Sequence, residues 1–271
     1  YPNQNLGTLN TVLSSGITLL TGASKSTFSG LRIYGDINFS TGPLDSIIIE
    51  KCYLNDLYLS QPHTTSSNHI IRNNIIRFIG RGGWNDHFLT NVYVSNNILG
   101  QIGNLYQPIV FEHNLIGYNN TQNGWGLIFN AVTCIFNNNV FFNSCYNFLS
   151  SDVMNNFFYN NIFAGYTPDT LNNSFENNFF NVDLDSIFIN YLYDFCNDNP
   201  YINYSQLSNY RLLPNCVGKN SANDGTDIGI YGGLYPWNNI PSGPYTRSFT
   251  ISPINPENGL INVNATAIGR P

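Results

Sequence analysis

The chain has 271 residues, a formal net charge of -6 and a pI near 4.9, which argues against a nucleic-acid partner, because phosphates require a basic face. Charged residues make up only 10% and aromatics 15%, with Asn close to one residue in six, the composition of a rigid all-β protein rather than a disordered one. No stretch approaches about 18 consecutive apolar residues, so no transmembrane segment is expected.

Residues 1–26 scatter Leu9, Val12, Leu13, Ile17, Leu19 and Leu20 among Gly, Ser and Thr, which reads as an irregular first coil or cap that shields strand edges. No signal peptide is evident, and an opening Tyr1-Pro2-Asn3 without Met reads as a mature or trimmed chain.

From Phe28 to Phe180 a short phrase recurs with drift, clearest at Phe136-Asn137-Asn138-Asn139-Val140-Phe141. With the second Asn of each copy as reference, the series is Asn74, Asn97, Asn114, Asn139, Asn161 and Asn178, with Leu31 and Cys52 in the same slot earlier. Three residues before each reference stands a large apolar residue: Phe28, Ile49, Ile71, Val94, Phe111, Phe136, Phe158 and Phe175. Two residues after it stands another: Ile33, Leu54, Ile76, Leu99, Ile116, Phe141, Phe163 and Phe180. The repeat steps lie between 17 and 25 residues. No single copy can bury its own apolar pair, so copies must stack, each holding two short strands that meet at an Asn-bearing corner. Parallel coils sit about 4.8 Å apart. That spacing superimposes the reference residues, and a column of Asn can hydrogen-bond to itself and to the corner backbone. These Asn therefore read as structural. The Leu-x-x-Leu-x-Leu run of leucine-rich repeats and the strict beat of hexapeptide coils are both missing.

Residues 61–69, 80–87 and 119–126 read as loops. The second is the most chemically loaded stretch, with Arg81, Trp84, Asp86 and His87 among Gly residues; the third carries Trp125. Loops leaving neighbouring coils at one corner become neighbours in space, so Arg81, Trp84 and Trp125 are candidate ligand contacts around one groove. Cys52, Cys134, Cys145, Cys196 and Cys216 show no close metal-ligand spacing and allow at most two disulfides. Cys52, in the ladder slot, reads as a small core residue.

Past Phe180 the rhythm breaks, and residues 182–216 read as a short helix or irregular final coils. Tyr210-Arg211-Leu212 and, some 15 residues on, Gly225-Thr226-Asp227-Ile228-Gly229-Ile230-Tyr231-Gly232-Gly233 resemble the closing signature of bacterial secreted right-handed parallel β-helix proteins of the pectate-lyase-like superfamily. The Asn-Asn coils share that resemblance, which covers roughly residues 27–233. It implies a right-handed parallel β-helix of about eight or more coils over 27–235, capped at both ends, in an extracellular or cell-surface protein. The closing phrase reads as turns capping the last coil. Residues 236–271, with strand-like runs at 248–252 and 260–267, read as a strand extension or the start of a further domain.

Polysaccharide lyases of this superfamily place an acidic Ca²⁺ cluster and an Arg or Lys base on one outer face, and Ca²⁺ needs six to eight oxygen ligands. The outward column two residues before the reference is Ser29, Glu50, Arg72, Ser95, Glu112, Asn137, Tyr159 and Glu176. It contains no such cage, so no metal site is assigned and Ca²⁺ enters only with a lyase. Glu50 and Arg72 read as an ion pair on adjacent coils. A glycosidase needs two carboxylates roughly 5 to 9.5 Å apart, and Asp45, Glu50, Asp56, Asp86 and Glu112 offer no evident pair. The expected function is polysaccharide or protein-partner binding along a side face. The alternatives are a lyase or glycoside hydrolase using Arg72, Arg77, Asp86, His87 and Glu112 around one face, and a structural spacer. A monomer is favoured.

Overall fold

The computed structural model of the chain describes residues 11–39, 42–59, 65–80, 88–117, 127–142, 149, 153–168, 172–191 and 209–237, with the backbone of 245–251 and 263–268. Strands preceding the Asn corner form an eight-stranded parallel sheet: Thr27–Ser29, Ile48–Glu50, Ile70–Arg72, Val92–Ser95, Ile109–Glu112, Ile135–Asn137, Phe157–Tyr159 and Ser174–Glu176. Strands following it, among them Tyr53–Tyr58, Ile75–Gly80, Ile98–Leu105, Val140–Phe142 and Ile162–Ala164, belong to a twelve-stranded sheet. A third side carries Leu44–Asp45, Thr65–Ser67 and Phe88–Thr90. The end of the expected 61–69 loop is thus a strand. The fold is a parallel β-solenoid. Setting aside the two edge strands of the eight leaves about six full turns, slightly fewer than the coils expected.

Register carries the repeat into three dimensions. Phe28, Ile49, Ile71, Val94, Phe111, Phe136, Phe158 and Phe175 stand on successive rungs of one column. Ile49 to Phe158 are fully buried along it. Late in the chain the aromatics stack, with ring centroids 5.0 Å apart for Phe111–Phe136, 4.7 Å for Phe136–Phe158 and 4.6 Å for Phe158–Phe175. Such offset stacks add attraction beyond burial.

Each ladder Asn repeats one bonding scheme. Asn139 Nδ2 donates to Phe111 O and to Asn161 Oδ1, while its own Oδ1 accepts from the backbone N–H and Nδ2 of Asn114. Asn97, Asn114 and Asn161 share the scheme, and Asn74 and Asn178, at the two ends of the Asn run, keep its bond to a backbone carbonyl. Cys52 ends the ladder as a thiol in the Asn position, its Sγ donating to Phe28 O and Glu50 O. Burial pushes that thiol up to about 12.

The residue just before each reference explains the doubled Asn. Lys51, Asn73, Asn96, His113, Asn138, Asn160 and Asn177 all have φ between 51° and 57°, the left-handed region that Asn tolerates better than most side chains. The first Asn turns the chain and the second fills the corner. A second column, five residues before the reference, repeats the device. Asn156 Oδ1 accepts from Cys134 N–H, Asn173 Oδ1 from Asn156 N–H, and Asn155 and Asn172 are left-handed. His69 occupies this column as well, its Nδ1 accepting from Ile47 N–H at 3.1 Å. The opposite nitrogen, Nε2, then carries the proton toward Ser66 Oγ at 2.7 Å. The ring is fully buried, and burial holds its basicity down to about 4.

The residue just after each reference faces away from the coil interior, because its successor points in. Ile75, Ile98, Leu115, Val140 and Ile162 are nonetheless buried, under Ile187, Phe188, Tyr210, Leu212, Ile228, Ile230 and Trp237. Expected to cap the last coil, the closing phrase instead lies along the side of the stack. Asn96 Nδ2 donates to Ile230 O and Gly232 O, Asn73 Nδ2 to Tyr235 O, and Gly229 N–H to Asn138 O. The left-handed corner residues face outward, and their amides supply the donors that dock this strap. Gly232 is required there, since a Cβ would stand 2.7 Å from the His113 ring.

Of the 182–216 stretch, Leu184–Ser186 is a single 3-10 turn, Phe188–Asn190 and Asn209–Leu212 pair antiparallel, and 192–208 lie outside the described residues. Thr11–Leu13 and Ile17–Leu19 extend the twelve-stranded sheet, as a first coil should. The chain divides into two compact units at 239/240; in the second, Tyr245–Ile251 pairs antiparallel with Val263–Ile268.

Candidate ligand-binding face

The strap covers the column after the Asn corner and leaves the outer side of the eight-stranded sheet with two parallel columns. One is Ile48, Ile70, Tyr93, Val110, Ile135 and Phe157, half-buried except for Phe157, which is exposed. Beside it runs the polar column expected to face outward, Glu50, Arg72, Ser95, Glu112, Asn137 and Tyr159, on rungs in register.

Arg72 and Glu50 form the expected ion pair, Arg72 Nε and Nη2 both donating to Glu50 Oε2, at 2.9 and 2.7 Å. The guanidinium also lies 4.3 Å from the ring centre of Tyr235, so the strap clamps it by a cation–π contact. Glu112, two rungs on, accepts from the Tyr93 hydroxyl at Oε2 and from Asn137 Nδ2 at Oε1, the latter at 3.0 Å. Burial and the Glu112 contact push the Tyr93 phenol up. On either side of Glu112 stand Ser95 Oγ and Asn137 Oδ1, both buried and without a partner. A buried polar atom left unpaired costs roughly 1 to 3 kcal/mol. These two lie two rungs apart, beneath the surface on either side of the Glu112 carboxylate.

Arg77 does not join Arg72 and Glu112. It lies beyond the Asn corner on the twelve-stranded sheet, donating from Nη2 to Asp56 Oδ2 at 2.5 Å and from Nε to Asn55 Oδ1 at 2.7 Å. Asp56 Oδ2 also accepts from the Tyr58 hydroxyl, while Oδ1 is buried without a partner. Burial outweighs the guanidinium and pushes this carboxyl up to about 6. Sequence spacing did not bring Asp56 and Arg77 together, though both sit on strands whose registers pair Asp56 with Phe78, the neighbour of Arg77. Arg81, Trp84, Asp86, His87 and Trp125, and the groove expected between the two Trp loops, lie outside the described residues.

Among the described residues no three His, Cys, Asp or Glu side chains come together in a group able to hold a metal ion, and no helix is long and apolar enough to cross a membrane. No protein-family model matches the chain, and no curated protein matches it.

Proposed function

We propose that this chain is a secreted or cell-surface β-helix protein of the pectate-lyase-like kind, bacterial in origin, that binds polysaccharide along the outer face of its eight-stranded sheet without turning it over. The observation that carries the reading is the pairing of an apolar column from Ile48 to Phe157 with a hydrogen-bonding column from Glu50 to Tyr159. A sugar chain running along the stack would meet both chemistries at every rung, about 4.8 Å apart. Its C–H faces would lie on Ile70, Tyr93, Val110 and Ile135, and its hydroxyls on the half-buried Glu112 and Asn137. Binding is favoured over chemistry because Glu50 and Glu112 are already engaged by partners within the chain.

A glycan-array screen of the purified chain tests this, with the same polysaccharides assayed for new reducing ends and double bonds in the presence of Ca²⁺. Binding without product supports the reading; turnover replaces it with an enzyme; silence in both favours a spacer or a protein ligand. The enzyme alternative has one observation behind it, the Asp56 carboxyl at about 6, within the range of a general acid or base near neutral pH. Turnover abolished by Asp56→Asn would move the site to the twelve-stranded sheet.

A further inference from the structure

We infer that the saccharide this face takes is neutral and rich in hydroxyl donors, and not a polyuronate or other anionic polymer; the inference rests on the saccharide reading above. The acceptor this face offers a ligand at mid-column is the half-buried Glu112 carboxylate. An ionised carboxylate only accepts, and so does an amide oxygen. Glu112 keeps lone pairs beyond those used by Tyr93 and Asn137, whereas the unpartnered Asn137 Oδ1 and Ser95 Oγ are buried beneath the face and out of a ligand's reach. A sugar hydroxyl can donate to Glu112. A uronate carboxylate has no proton to give and would meet like charge at Glu112.

The charges along the column agree. Its carboxylates are Glu50, Glu112 and Glu176, and its only cation is Arg72, whose Nε and Nη2 are both turned onto Glu50 and whose face is covered by Tyr235. The nearby strap adds Asp224, 3.2 Å from His113 Nε2. No uncommitted cation stands ready on this column to receive an anionic chain, and the whole chain is acidic at -6.

The test titrates linear oligohexoses and their oligohexuronate counterparts, matched in linkage and length, onto the full chain by calorimetry. In about 50 mM salt, at least one neutral member should bind about tenfold or more tightly than its uronate partner, and about 500 mM salt should narrow that gap by screening the uronate repulsion. Glu112→Gln, which keeps the size of the side chain, should weaken the neutral ligand and strengthen the uronate. Equal or tighter uronate binding, or a gap unmoved by both salt and Glu112→Gln, overturns the inference while leaving a saccharide-binding protein. If no member of any pair binds, the saccharide reading itself fails and this inference with it. Should Glu112→Gln not fold, the salt titration on the unmodified chain decides alone.

Discussion

On the twelve-stranded sheet the outward residues Ile75, Ile98, Leu115, Val140 and Ile162 are buried beneath the chain's own 209–237 segment, whereas on the eight-stranded sheet Ile48, Ile70, Tyr93, Val110 and Ile135 remain half-exposed. Both columns are apolar and both face away from the coil interior. The difference lies in their neighbours. Beside the covered column stand left-handed Asn73, Asn96 and Asn138, whose amides hold the strap; beside the bare column stand a carboxylate and two oxygens with no partner. An apolar column flanked by donors has been closed by the chain itself. The one flanked by acceptors has been left open, which is why it is the candidate binding face.

Breaking the corner between the two faces should have the largest effect. Asn139→Leu removes the donors to Phe111 O and Asn161 Oδ1 and orphans Asn114 N–H, so it should cost about 3 to 5 kcal/mol in denaturant unfolding. An unchanged midpoint would mean that the ladder does not hold the stack.

A buried group near each face, His69 and Asp56, is shifted from its ordinary range, the two with opposite consequences for stability. His69, below the bare sheet, titrates at about 4 against an ordinary 6.5, so its stabilising effect is complete above about 6.5 and lost as pH falls through 4. That window is worth about 3 kcal/mol. Asp56, on the other sheet, titrates at about 6 against an ordinary 3.8, so its effect is complete below 3.8 and lost as pH rises through 6. In His69→Asn, which restores a ladder residue, stability should decline from pH 4 to pH 6; in Asp56→Asn it should rise over the same range. Parallel pH profiles for the two variants would contradict these assignments.

A direct comparison of the columns is smaller in scale. Ile98→Ala should cost about 2 to 3 kcal/mol by opening a cavity under the strap, while Val110→Ala on the bare face should cost under about 1. Equal costs would mean that something covers both. Arg72→Ala should cost about 1 kcal/mol, since its pair with Glu50 is still partly exposed to solvent.

Much of this was legible in the chain. The ladder from Asn74 to Asn178 and the inward columns could be read because identical phrases at one period must stack in register. The second ladder was also written there, in Asn68-His69, Asn155-Asn156 and Asn172-Asn173 at the same offset from each reference. It makes a weak pattern because only Asn156 and Asn173 fill its slots with Asn, the others holding Ser26, Ile47, His69, Val92, Ile109 and Cys134. The strap was not legible from local pattern, since it docks over 100 residues away in sequence, as in Asn96 to Ile230. One clue was present: Ile75-Ile76, Ile98-Leu99 and Leu115-Ile116 put apolar residues on both sides of the sheet, and alternation sends one of each pair outward. At the candidate site the Glu50–Arg72 pair was readable from rung adjacency. The Tyr93–Glu112 contact was not, because it joins residues of different columns.

The most direct measurement is calorimetric titration of a bound oligohexose onto Val110→Asp and Arg77→Ala, each checked for an unchanged melting temperature. If the bare face of the eight-stranded sheet is the binding surface, Val110→Asp should weaken binding by about tenfold or more and Arg77→Ala by less than about twofold. Loss of binding in Arg77→Ala with Val110→Asp unaffected would contradict the account and place the ligand on the other sheet.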